Sequence, residues 1–374
     1  MQRDMLRTAS ELAKRGHEVE IFTMLWDAEL SRDGQLCYEG SPVNIKIHVL
    51  PQKGLFNYQR YQKFIEASFA QIKAVQFDYV FGYNRMPGLD AHFAADPCFI
   101  ERAYQQRNFL YRLTPRFKWF TACEKAIFSA DSKTEVLAVS LSEKAHFQSW
   151  YGIQNGRYHY IPPFLSPERF LLQDKQAMRQ YLRNAFDFGE GDFVYLLTGS
   201  GFAMKGLDRA ILALAVLPEA LRITTRLVAV GQDNPKKFRQ MAKRLGLENN
   251  VLILKGRPDI PQLMQGADVC IHPAYRENTG LVILEAMACG APVLVTQSCG
   301  YAHHVADADA GIVHAMPFDQ SLFNQQFIEM RLTGKKQQWS MNAIKYAKNI
   351  MQANDGSSEA NILIELALQK KAFS

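Results

Sequence analysis

The stretch Ala274-Tyr275-Arg276-Glu277-Asn278-Thr279-Gly280-Leu281-Val282-Ile283-Leu284-Glu285-Ala286 joins a predicted strand to a predicted helix. The run from Ala267 to His272, which ends at Pro273, predicts a buried strand, and Leu281 to Ala288 predicts a helix. A buried strand followed at once by a helix is typical of a doubly wound parallel sheet, which binds ligands at the carboxyl edge of its strands. The stretch therefore predicts an α/β domain with a ligand-binding loop at that edge.

Two carboxylates in this stretch, Glu277 in the loop and Glu285 in the helix, indicate what the ligand contains. Carboxylates accept hydrogen bonds from hydroxyl groups, and a helix N-terminus favours an anion through its amides. The amides concerned belong to Asn278, Thr279, Gly280 and Leu281. The alternative is that both glutamates are solvated surface charges. Because apolar residues flank Glu285, we expect its carboxylate to be half buried and to need partners. Sugar hydroxyls with a diphosphate fit this combination.

A second loop at the same predicted edge is rich in glycine. It reads Gly199-Ser200-Gly201-Phe202-Ala203-Met204-Lys205-Gly206-Leu207-Asp208, and it follows a predicted strand and leads into a predicted helix. Glycines such as Gly201 let a backbone approach a ligand, and Lys205 can reach a phosphate. A lysine before a helix is more often solvated, so the prediction rests on its sharing a domain and a sheet edge with Glu277 and Glu285.

The chain of 374 residues is longer than one hydrophobic core usually serves, which predicts two domains. We expect an amino-terminal Rossmann-like domain over 1–162, a carboxyl-terminal one over 163–350, and a final segment over 351–374 that packs back on the first domain. For the first domain the pattern predicts helices over Asp4 to Arg15 and Tyr58 to Lys73, with strands over Glu18 to Met24, Asn44 to Leu50, Asp78 to Tyr83 and Glu135 to Ser140. For the remainder it predicts strands over Phe193 to Thr198, Arg226 to Val230, Val251 to Lys255, Val269 to His272 and Pro292 to Thr296, and helices over Leu207 to Val216, Lys236 to Leu245, Ile260 to Gln265 and Glu359 to Lys371.

Composition excludes several classes of protein. With 48% hydrophobic and 21% charged residues, the chain resembles a globular enzyme, and no apolar run reaches the length of a membrane span. The six cysteines show no paired metal spacing, so a reduced cytoplasm is the expected setting. The pair in Asp307-Ala308-Asp309 is too short a match to predict a metal site. We therefore expect neither a metal nor a nucleic-acid partner.

The net charge of +6 is concentrated between Phe99 and Phe128, where six basic residues stand against two acidic ones among many aromatic residues. Basic and aromatic residues together are typical of a membrane interface, which predicts reversible attachment to an anionic leaflet. The residues concerned are Arg107, Arg112, Arg116, Lys118 and Trp119. Two alternatives stay open. In the first, the aromatic residues pack within their domain, and in the second, the patch holds a phosphorylated soluble substrate.

The amino terminus departs from the usual order of a doubly wound domain. Such domains begin with a central strand and a glycine-rich turn, whereas this sequence opens on a predicted helix. A strand and its turn would need about 10–15 further residues. We therefore expect either a start upstream of Met1 or the loss of an element from the first sheet.

Several motifs along nearly the whole chain carry a family resemblance. They are Leu6 to His17, Asn84 to Asp90, Ala94-Ala95-Asp96, Phe109 to Thr114, Lys205-Gly206, Val230 to Asp233, Glu277 to Glu285 and Cys299 to His303. In these motifs the chain resembles the retaining, nucleotide-sugar-dependent glycosyltransferases of glycosyltransferase family 4, and among them the glucosyltransferases of lipopolysaccharide core biosynthesis. The resemblance implies the GT-B architecture, two Rossmann-like domains that face a cleft.

The same resemblance implies a UDP-sugar-dependent hexosyltransferase that uses UDP-glucose and binds it in the second domain. By position, Glu285 would hold the ribose hydroxyls, Glu277 the hydroxyls of the donor sugar and Lys205 the diphosphate. Arg257 and Pro258 would border the uracil. The acceptor would be a heptose of the lipopolysaccharide inner core. The enzyme would be peripheral on the cytoplasmic face of the inner membrane of a Gram-negative cell.

In the first domain, the resemblance implies that Asp96 and Asp4 face the donor sugar. Transfer would proceed with retention, the leaving diphosphate taking the acceptor proton, and without a metal. Three departures from the family pattern matter. Met204 replaces an arginine beside the lysine, Phe164 replaces a glycine, and the glycine pair expected before Gln2 is absent. The alternatives are a catalytically impaired, membrane-associated interaction protein of the same fold, and a UDP-sugar enzyme with a different donor.

Overall fold

The computed structural model describes residues 2–26, 36–38, 41–43 and 45–372. Within them the chain forms two compact units. Unit 1 comprises Met1–Pro162 and Gly356–Ser374, and unit 2 comprises Pro163–Asp355. Two residues that the sequence predictions use lie outside the described residues. They are Met1 and Asn44, the first residue of a predicted strand.

Unit 1 is an α/β unit whose helices and strands alternate along the chain. Its elements up to residue 160 are α1 (Gln2–Lys14), β1 (Val19–Thr23), β2 (Leu36–Tyr38), β3 (Ser41–Val43), β4 (Ile45–Val49), α2 (Asn57–Val75), β5 (Phe81–Gly82), β6 (Ala91–Ala94), α3 (Phe99–Gln106), α4 (Phe109–Arg112), α5 (Pro115–Phe128), β7 (Glu135–Ala138), α6 (Ser142–Tyr151) and β8 (Tyr158–Tyr160). Helix α5 begins after Thr114, whose side chain accepts a hydrogen bond from the Phe117 amide, and Pro115 takes the first turn.

The parallel strands of unit 1 form two separate sheets, whereas sequence analysis predicted one. The strands β1 and β4 pair with each other, and β5-β6-β7-β8 form a four-stranded parallel sheet. No strand among the described residues is hydrogen-bonded to both β1 and β5, which is why the sheet is divided. Side chains still connect the two parts, since Phe22 of β1 packs edge-on against Phe77, 6.0 Å between ring centres.

Unit 2 is a doubly wound domain with one continuous parallel sheet. Its elements are α7 (Lys175–Phe186), β9 (Phe193–Thr198), α8 (Leu207–Ala215), α9 (Glu219–Arg222), β10 (Thr225–Val230), α10 (Lys236–Arg244), β11 (Val251–Leu254), α11 (Ile260–Gly266), β12 (Val269–His272), α12 (Leu281–Ala288), β13 (Val293–Thr296), α13 (Ala302–Asp307), β14 (Gly311–His314), α14 (Gln320–Leu332) and α15 (Lys336–Ala353). The strand order is β11-β10-β9-β12-β13-β14. The five strands predicted here are confirmed, and β14 was missed.

The sheet of unit 2 is buried on both faces, as a parallel sheet covered by helices requires. Along β9, Val194 and Leu196 belong to one apolar cluster, while Tyr195 and Leu197 belong to another. Because side chains alternate along a strand, the two clusters lie on opposite faces. This double burial explains why β9 is apolar up to its last residue, Thr198, and was visible in the sequence.

The final helix, α16 (Ser358–Ala372), belongs to unit 1 and packs against α1. Glu359, 2% exposed, accepts a hydrogen bond from Arg7, 2.6 Å away, and another from the Thr8 hydroxyl. The predicted boundary at residue 350 falls inside α15, because that helix continues to Ala353. No helix in the described part of the chain is both long and apolar enough to cross a membrane.

Candidate functional site

The two loops singled out in the sequence lie side by side in unit 2. The strands before them, β9 and β12, are neighbours in the parallel sheet, so the β9–α8 and β12–α12 loops leave the same edge. The Tyr275 amide donates to the Met204 carbonyl at 2.9 Å and joins the loops directly. Gly206 has φ +75, and a Cβ there would lie 2.0 Å from the Pro273 carbonyl oxygen. Only glycine permits this approach.

Arg209 of α8 binds the backbone of the β12–α12 loop. Its guanidinium donates to the carbonyls of Pro273 and Ala274, at 3.0 and 3.1 Å. The same group lies 3.6 Å from the ring centres of both Tyr275 and Phe318. The side chain is 7% exposed. Charge-assisted hydrogen bonds and aromatic contact therefore fix the loop that carries the predicted ligand residues.

Lys205 and Glu277, predicted as separate site residues, form an ion pair between Nζ and Oε2. Both side chains are half buried. Burial lowers the pKa of Lys205. His272 Nε2 lies 3.4 Å from the same Glu277 oxygen, without hydrogen-bond geometry. Burial, helped by the nearby Lys205 charge, lowers the pKa of His272 to about 3, so this imidazole is neutral near pH 7.

The segment after β13 braces the start of α12. The Gly300 amide donates to the Glu277 carbonyl at 3.1 Å, and the Tyr301 amide donates to the Thr279 carbonyl at 2.7 Å. A Cβ at Gly300 would lie 1.9 Å from the Asn278 carbonyl oxygen. The backbone of 277–279 is therefore held by two neighbouring segments, which pre-organises the loop for a ligand.

Helix α12 begins where the sequence predicted it, after Gly280 in the left-handed conformation, φ +83. Leu281 is exposed at its first position, and Glu285 is half buried one turn further on, as predicted. Seven of the eight helix residues are apolar, so Glu285 is the one charged group on this element. Its carboxylate stands among buried neighbours and is suited to specific hydrogen bonding.

The glycine-rich β9–α8 loop is tightly packed on one side and open on the other. A Cβ at Gly231 would lie 2.4 Å from the Gly199 carbonyl oxygen, which brings the loops after β9 and β10 together. The Phe202 amide donates to Asp233 Oδ2 at 2.8 Å. At Gly201, φ +80, no atom lies within 4 Å of a Cβ position. Gly201 therefore presents bare backbone to open space, as expected for contact with a ligand.

Arg257, predicted to border a base with Pro258, lies in the loop between β11 and α11. Its Nε and Nη2 donate to the two oxygens of Asp259, at 2.8 and 2.7 Å, and these hydrogen bonds raise its pKa. The Tyr181 hydroxyl also donates to Asp259, at 2.7 Å. The guanidinium is therefore fixed in orientation and its charge is compensated, while Pro258 is exposed.

Asp96, in unit 1, lies in the loop after β6, and Arg85 holds the backbone of this loop. Arg85 donates to the carbonyls of Asp96 and Pro97, at 3.0 and 2.7 Å, and pairs with Glu124 at 2.9 Å. Glu124 is fully buried and accepts the Phe99 amide at 2.7 Å. The Asp96 side chain itself is exposed. This arrangement holds the backbone rigid and leaves the carboxylate available.

Asp4, the other predicted residue of unit 1, lies in the first turn of α1. It is half exposed and forms an ion pair with Arg7 at 3.4 Å. Arg7 in turn contacts the buried Glu359, and this carboxylate outweighs the burial of the guanidinium and raises the pKa of Arg7. Asp4 is therefore part of the polar cluster that joins α1 to α16.

The predicted membrane residues divide into two groups. Arg107, Arg116 and Lys118 are exposed, whereas Arg112 and Trp119 are half buried. The Arg112 guanidinium lies 3.7 Å from the Tyr104 ring centre, and Trp119 stacks on Tyr61 and packs edge-on against Phe120. The apolar residues exposed in this region are others, namely Phe109 at 66%, Leu110 at 67% and Leu113 at 55%.

Sequence reasoning missed three residues that shape the site, Arg209, His272 and Gly300. A polar residue at the carboxyl end of a buried strand is a usable signal for His272. Arg209 lies four residues after Lys205, one helical turn, but its target loop is distant in sequence. For Gly300, the sequence shows the glycine but does not show that the Asn278 carbonyl lies against it.

Comparison with known proteins identifies the family. The family model for glycosyl transferases group 1 matches residues 178–349, and the model for glycosyltransferase family 4 matches residues 1–169. The chain is 39% identical, over 349 residues, to the lipopolysaccharide glucosyltransferase WaaG of Escherichia coli, covering 93% of this chain and 90% of that protein. A crystal structure of WaaG, described as a glycosyltransferase involved in lipopolysaccharide biosynthesis, matches with a TM-score of 0.87 at 37% identity, over 97% of this chain and 95% of that one.

A more distant structure shares the fold alone. HepE of Anabaena, solved in complex with UDP and glucose, matches with a TM-score of 0.71 at 20% identity, over 95% of each chain. The fold class predicted from the sequence, two Rossmann-like α/β domains, is confirmed by these matches. The chain belongs to the GT-B glycosyltransferases with family 4 and group 1 domains.

Proposed function

We propose that this glycosyltransferase moves glucose from UDP-glucose to a heptose of the lipopolysaccharide inner core, with retention at the anomeric carbon. The Escherichia coli relative is named a lipopolysaccharide glucosyltransferase, and the similarity covers 93% of this chain. The observation that carries the proposal is the Lys205–Glu277 pair at the edge of the unit 2 sheet, next to the start of α12. A cation, a carboxylate and a helix N-terminus at one point suit a sugar diphosphate.

The donor binds with its parts distributed over the edge of the sheet. Glu285 holds the ribose hydroxyls, and Arg257 with Pro258 borders the uracil. Lys205 binds the diphosphate, for which it exchanges its present contact with Glu277, and the released Glu277 carboxylate accepts hydrogen bonds from the sugar hydroxyls. The β9–α8 loop contributes backbone at Gly201. The loop and helix residues Asn278, Thr279, Gly280 and Leu281 supply amides.

The chemistry requires stabilisation of charge on the leaving diphosphate. The amides at the start of α12, together with Lys205 once it has left Glu277, donate to that charge, the kind of arrangement that contributes most to group transfer. We propose that no metal cofactor takes part. The leaving diphosphate accepts the proton of the acceptor hydroxyl on the same face. Met204, 41% exposed, adds no cation beside Lys205.

A transfer assay tests the proposal. The purified chain is incubated with UDP-glucose and lipopolysaccharide core that lacks this glucose, and glucose incorporation is followed by mass spectrometry. We expect transfer by the wild type, a large loss in Glu277→Ala and weaker UDP binding in Glu285→Ala. Titration calorimetry with UDP separates the two effects. Wild-type protein that folds and binds UDP without transferring glucose to this acceptor would overturn the proposed acceptor or donor. Unchanged UDP affinity in Glu285→Ala would remove the role of Glu285.

We also propose that unit 1 attaches to the anionic inner leaflet, on the cytoplasmic side of the inner membrane. Exposed apolar residues of α4 lie beside Arg107, Arg116 and Lys118, a combination that favours the interface. Each basic residue near an anionic surface contributes about 1 kcal/mol, so removing these three charges should weaken partitioning by roughly a hundredfold.

Vesicle flotation at low and high salt tests this attachment. Neutralising Arg107, Arg112, Arg116 and Lys118 together should abolish binding to anionic vesicles. Since Arg112 is stacked on Tyr104, restoring it alone should recover little. Binding that persists in the fourfold variant contradicts the proposal. Vesicle binding by a wild-type chain that neither binds UDP nor transfers sugar would favour a membrane-associated interaction protein instead.

A further inference from the structure

A cluster of three metal-ligating side chains lies on α13, outside the residues assigned to the donor. His303, His304 and Asp307 each offer one ligand atom, and these atoms lie within 4.8 Å of one another. Among the described residues, no other group of three or more such side chains lies close enough together to hold an ion. Its members are two imidazoles and one carboxylate, a donor set that suits a divalent transition metal.

Hydrogen bonds already orient both imidazoles for such a role. His303 Nδ1 donates to the Gly300 carbonyl at 2.9 Å, and because a neutral imidazole carries one N–H, its Nε2 is left as an acceptor. His304 Nδ1 lies 2.9 Å from the Tyr346 hydroxyl, which likewise leaves Nε2 for another partner. Metal-binding histidines commonly engage their second ring nitrogen with a carbonyl or another polar group in this way.

The Nε2 of His304 lacks a partner although it is buried. The residue is 6% exposed, and this nitrogen has no hydrogen bond among the described residues. Burying a polar atom without a partner is unfavourable, and such atoms in folded proteins call for an explanation. A metal ion bound at Nε2 satisfies that atom.

We propose that His303, His304 and Asp307 form a binding site for a divalent transition metal of the Zn²⁺ type. In a tetrahedral zinc site two ligand atoms stand about 3.4 Å apart, so the cluster must close by about 1.4 Å from its 4.8 Å span. Asp307 is exposed, so its side chain has room to move toward the two imidazoles. Asp309 is not a ligand, because its carboxylate accepts a hydrogen bond from Trp339 Nε1 at 3.2 Å. Three protein ligands leave a fourth position for water.

This site differs in residues and in chemistry from the aspartate pair rejected in the sequence. That pair joined Asp307 to Asp309, whereas the structure joins Asp307 to two histidines one helical turn earlier. The site is also linked to the loop that braces α12. His303 holds the Gly300 carbonyl, and the Gly300 amide holds the Glu277 carbonyl. Metal binding should therefore slow hydrogen exchange at the Gly300 amide.

Metal titration of the tag-free, chelator-treated full chain tests the site. We expect one Zn²⁺ per chain by calorimetry, an absorption band on Co²⁺ addition, and no binding of Mg²⁺, which prefers oxygen ligands. His303→Ala and Asp307→Asn each remove an exposed ligand without disturbing the core, and each should weaken Zn²⁺ binding about tenfold or more. His17→Ala, at an exposed histidine of unit 1, is the matched control and should bind as the wild type does.

Two results would overturn the proposal. One is a wild-type chain that takes up no Zn²⁺. The other is a Zn²⁺ stoichiometry and affinity that stay the same in both His303→Ala and Asp307→Asn, which would place the ion elsewhere. Circular dichroism of each variant confirms that folding is intact, and Asp307→Asn serves alone if His303→Ala is misfolded.

Discussion

Replacing Arg209 with leucine should loosen the loop that carries Glu277. In the wild type, the guanidinium donates to the carbonyls of Pro273 and Ala274 and lies between two aromatic rings. Leucine fills part of the volume but donates no hydrogen bond. Two carbonyl oxygens at the start of the loop then lose their charged partner in a buried position.

The magnitude follows from the lost contacts. Each hydrogen bond to a charged group contributes about 1.5–3 kcal/mol, and a desolvated cation–π contact about 2 kcal/mol. Because leucine recovers some burial and the loop relaxes, we expect a net loss of about 3–5 kcal/mol in the free energy of unfolding of unit 2. For a domain the size of unit 2, each kcal/mol lowers Tm by about 2–4 °C, so the transition should fall by about 6–20 °C.

Differential scanning calorimetry measures the Tm of unit 2, and titration with UDP measures the nucleotide affinity that depends on the loop. We expect Arg209→Leu to lower both the Tm of unit 2 and the affinity for UDP. Arg244→Leu is the matched control, since Arg244 is exposed on α10 and the same substitution there removes no buried contact. A Tm for Arg209→Leu within about 2 °C of Arg244→Leu would refute the reasoning.

Three further predictions concern stability. Gly300→Ala should weaken UDP binding and destabilise unit 2 by about 1–3 kcal/mol, because its Cβ would clash with a carbonyl oxygen, whereas Gly334→Ala, which meets no atom within 4 Å, should change neither in calorimetry. The folded pKa of His272 is about 3 and its unfolded pKa about 6.5, so the unfolded state takes up the proton first and stability falls as pH drops from about 6.5 to 3. Urea unfolding across this range should show a shallower fall in His272→Leu, and an identical slope would contradict the assignment. Glu124→Ala should cost about 3–5 kcal/mol in urea unfolding, because it removes the charged partner of Arg85 and leaves two amides unpaired inside unit 1.

The sequence reveals elements best where local composition and burial agree. The strands β9 and β12 are buried along their whole length because helices cover both faces of the sheet, and their apolar runs, which end at Thr198 and His272, are visible without any structure. The strands β6 and β14 were missed for the opposite reason. Ala91–Ala94 and Gly311–His314 are short and contain alanine, glycine and histidine, so neighbouring strands rather than intrinsic propensity keep them extended.

The individual site residues could be predicted from the sequence, but the contact between Lys205 and Glu277 could not. Lys205 and Glu277 each stand after a strand, and that position alone indicates the carboxyl edge of a sheet. Their contact depends on β9 and β12 being neighbours, a strand order that the sequence does not encode locally. Arg209 shows the same limit, since its carbonyl partners lie more than 60 positions away along the chain.

The Lys205–Glu277 pair leads to an opposite effect of one mutation on binding and on transfer. In the absence of donor, Glu277 is paired with Lys205, the cation that the diphosphate needs. The negative charge of Glu277 also repels the diphosphate. Glu277→Gln should therefore raise the affinity for UDP by about 1 kcal/mol, roughly fivefold, although transfer of the sugar falls. Glu285→Gln is the control, and calorimetry should show weaker UDP binding there. A loss of UDP affinity in Glu277→Gln would mean that the carboxylate positions Lys205 for the diphosphate and does not compete with it.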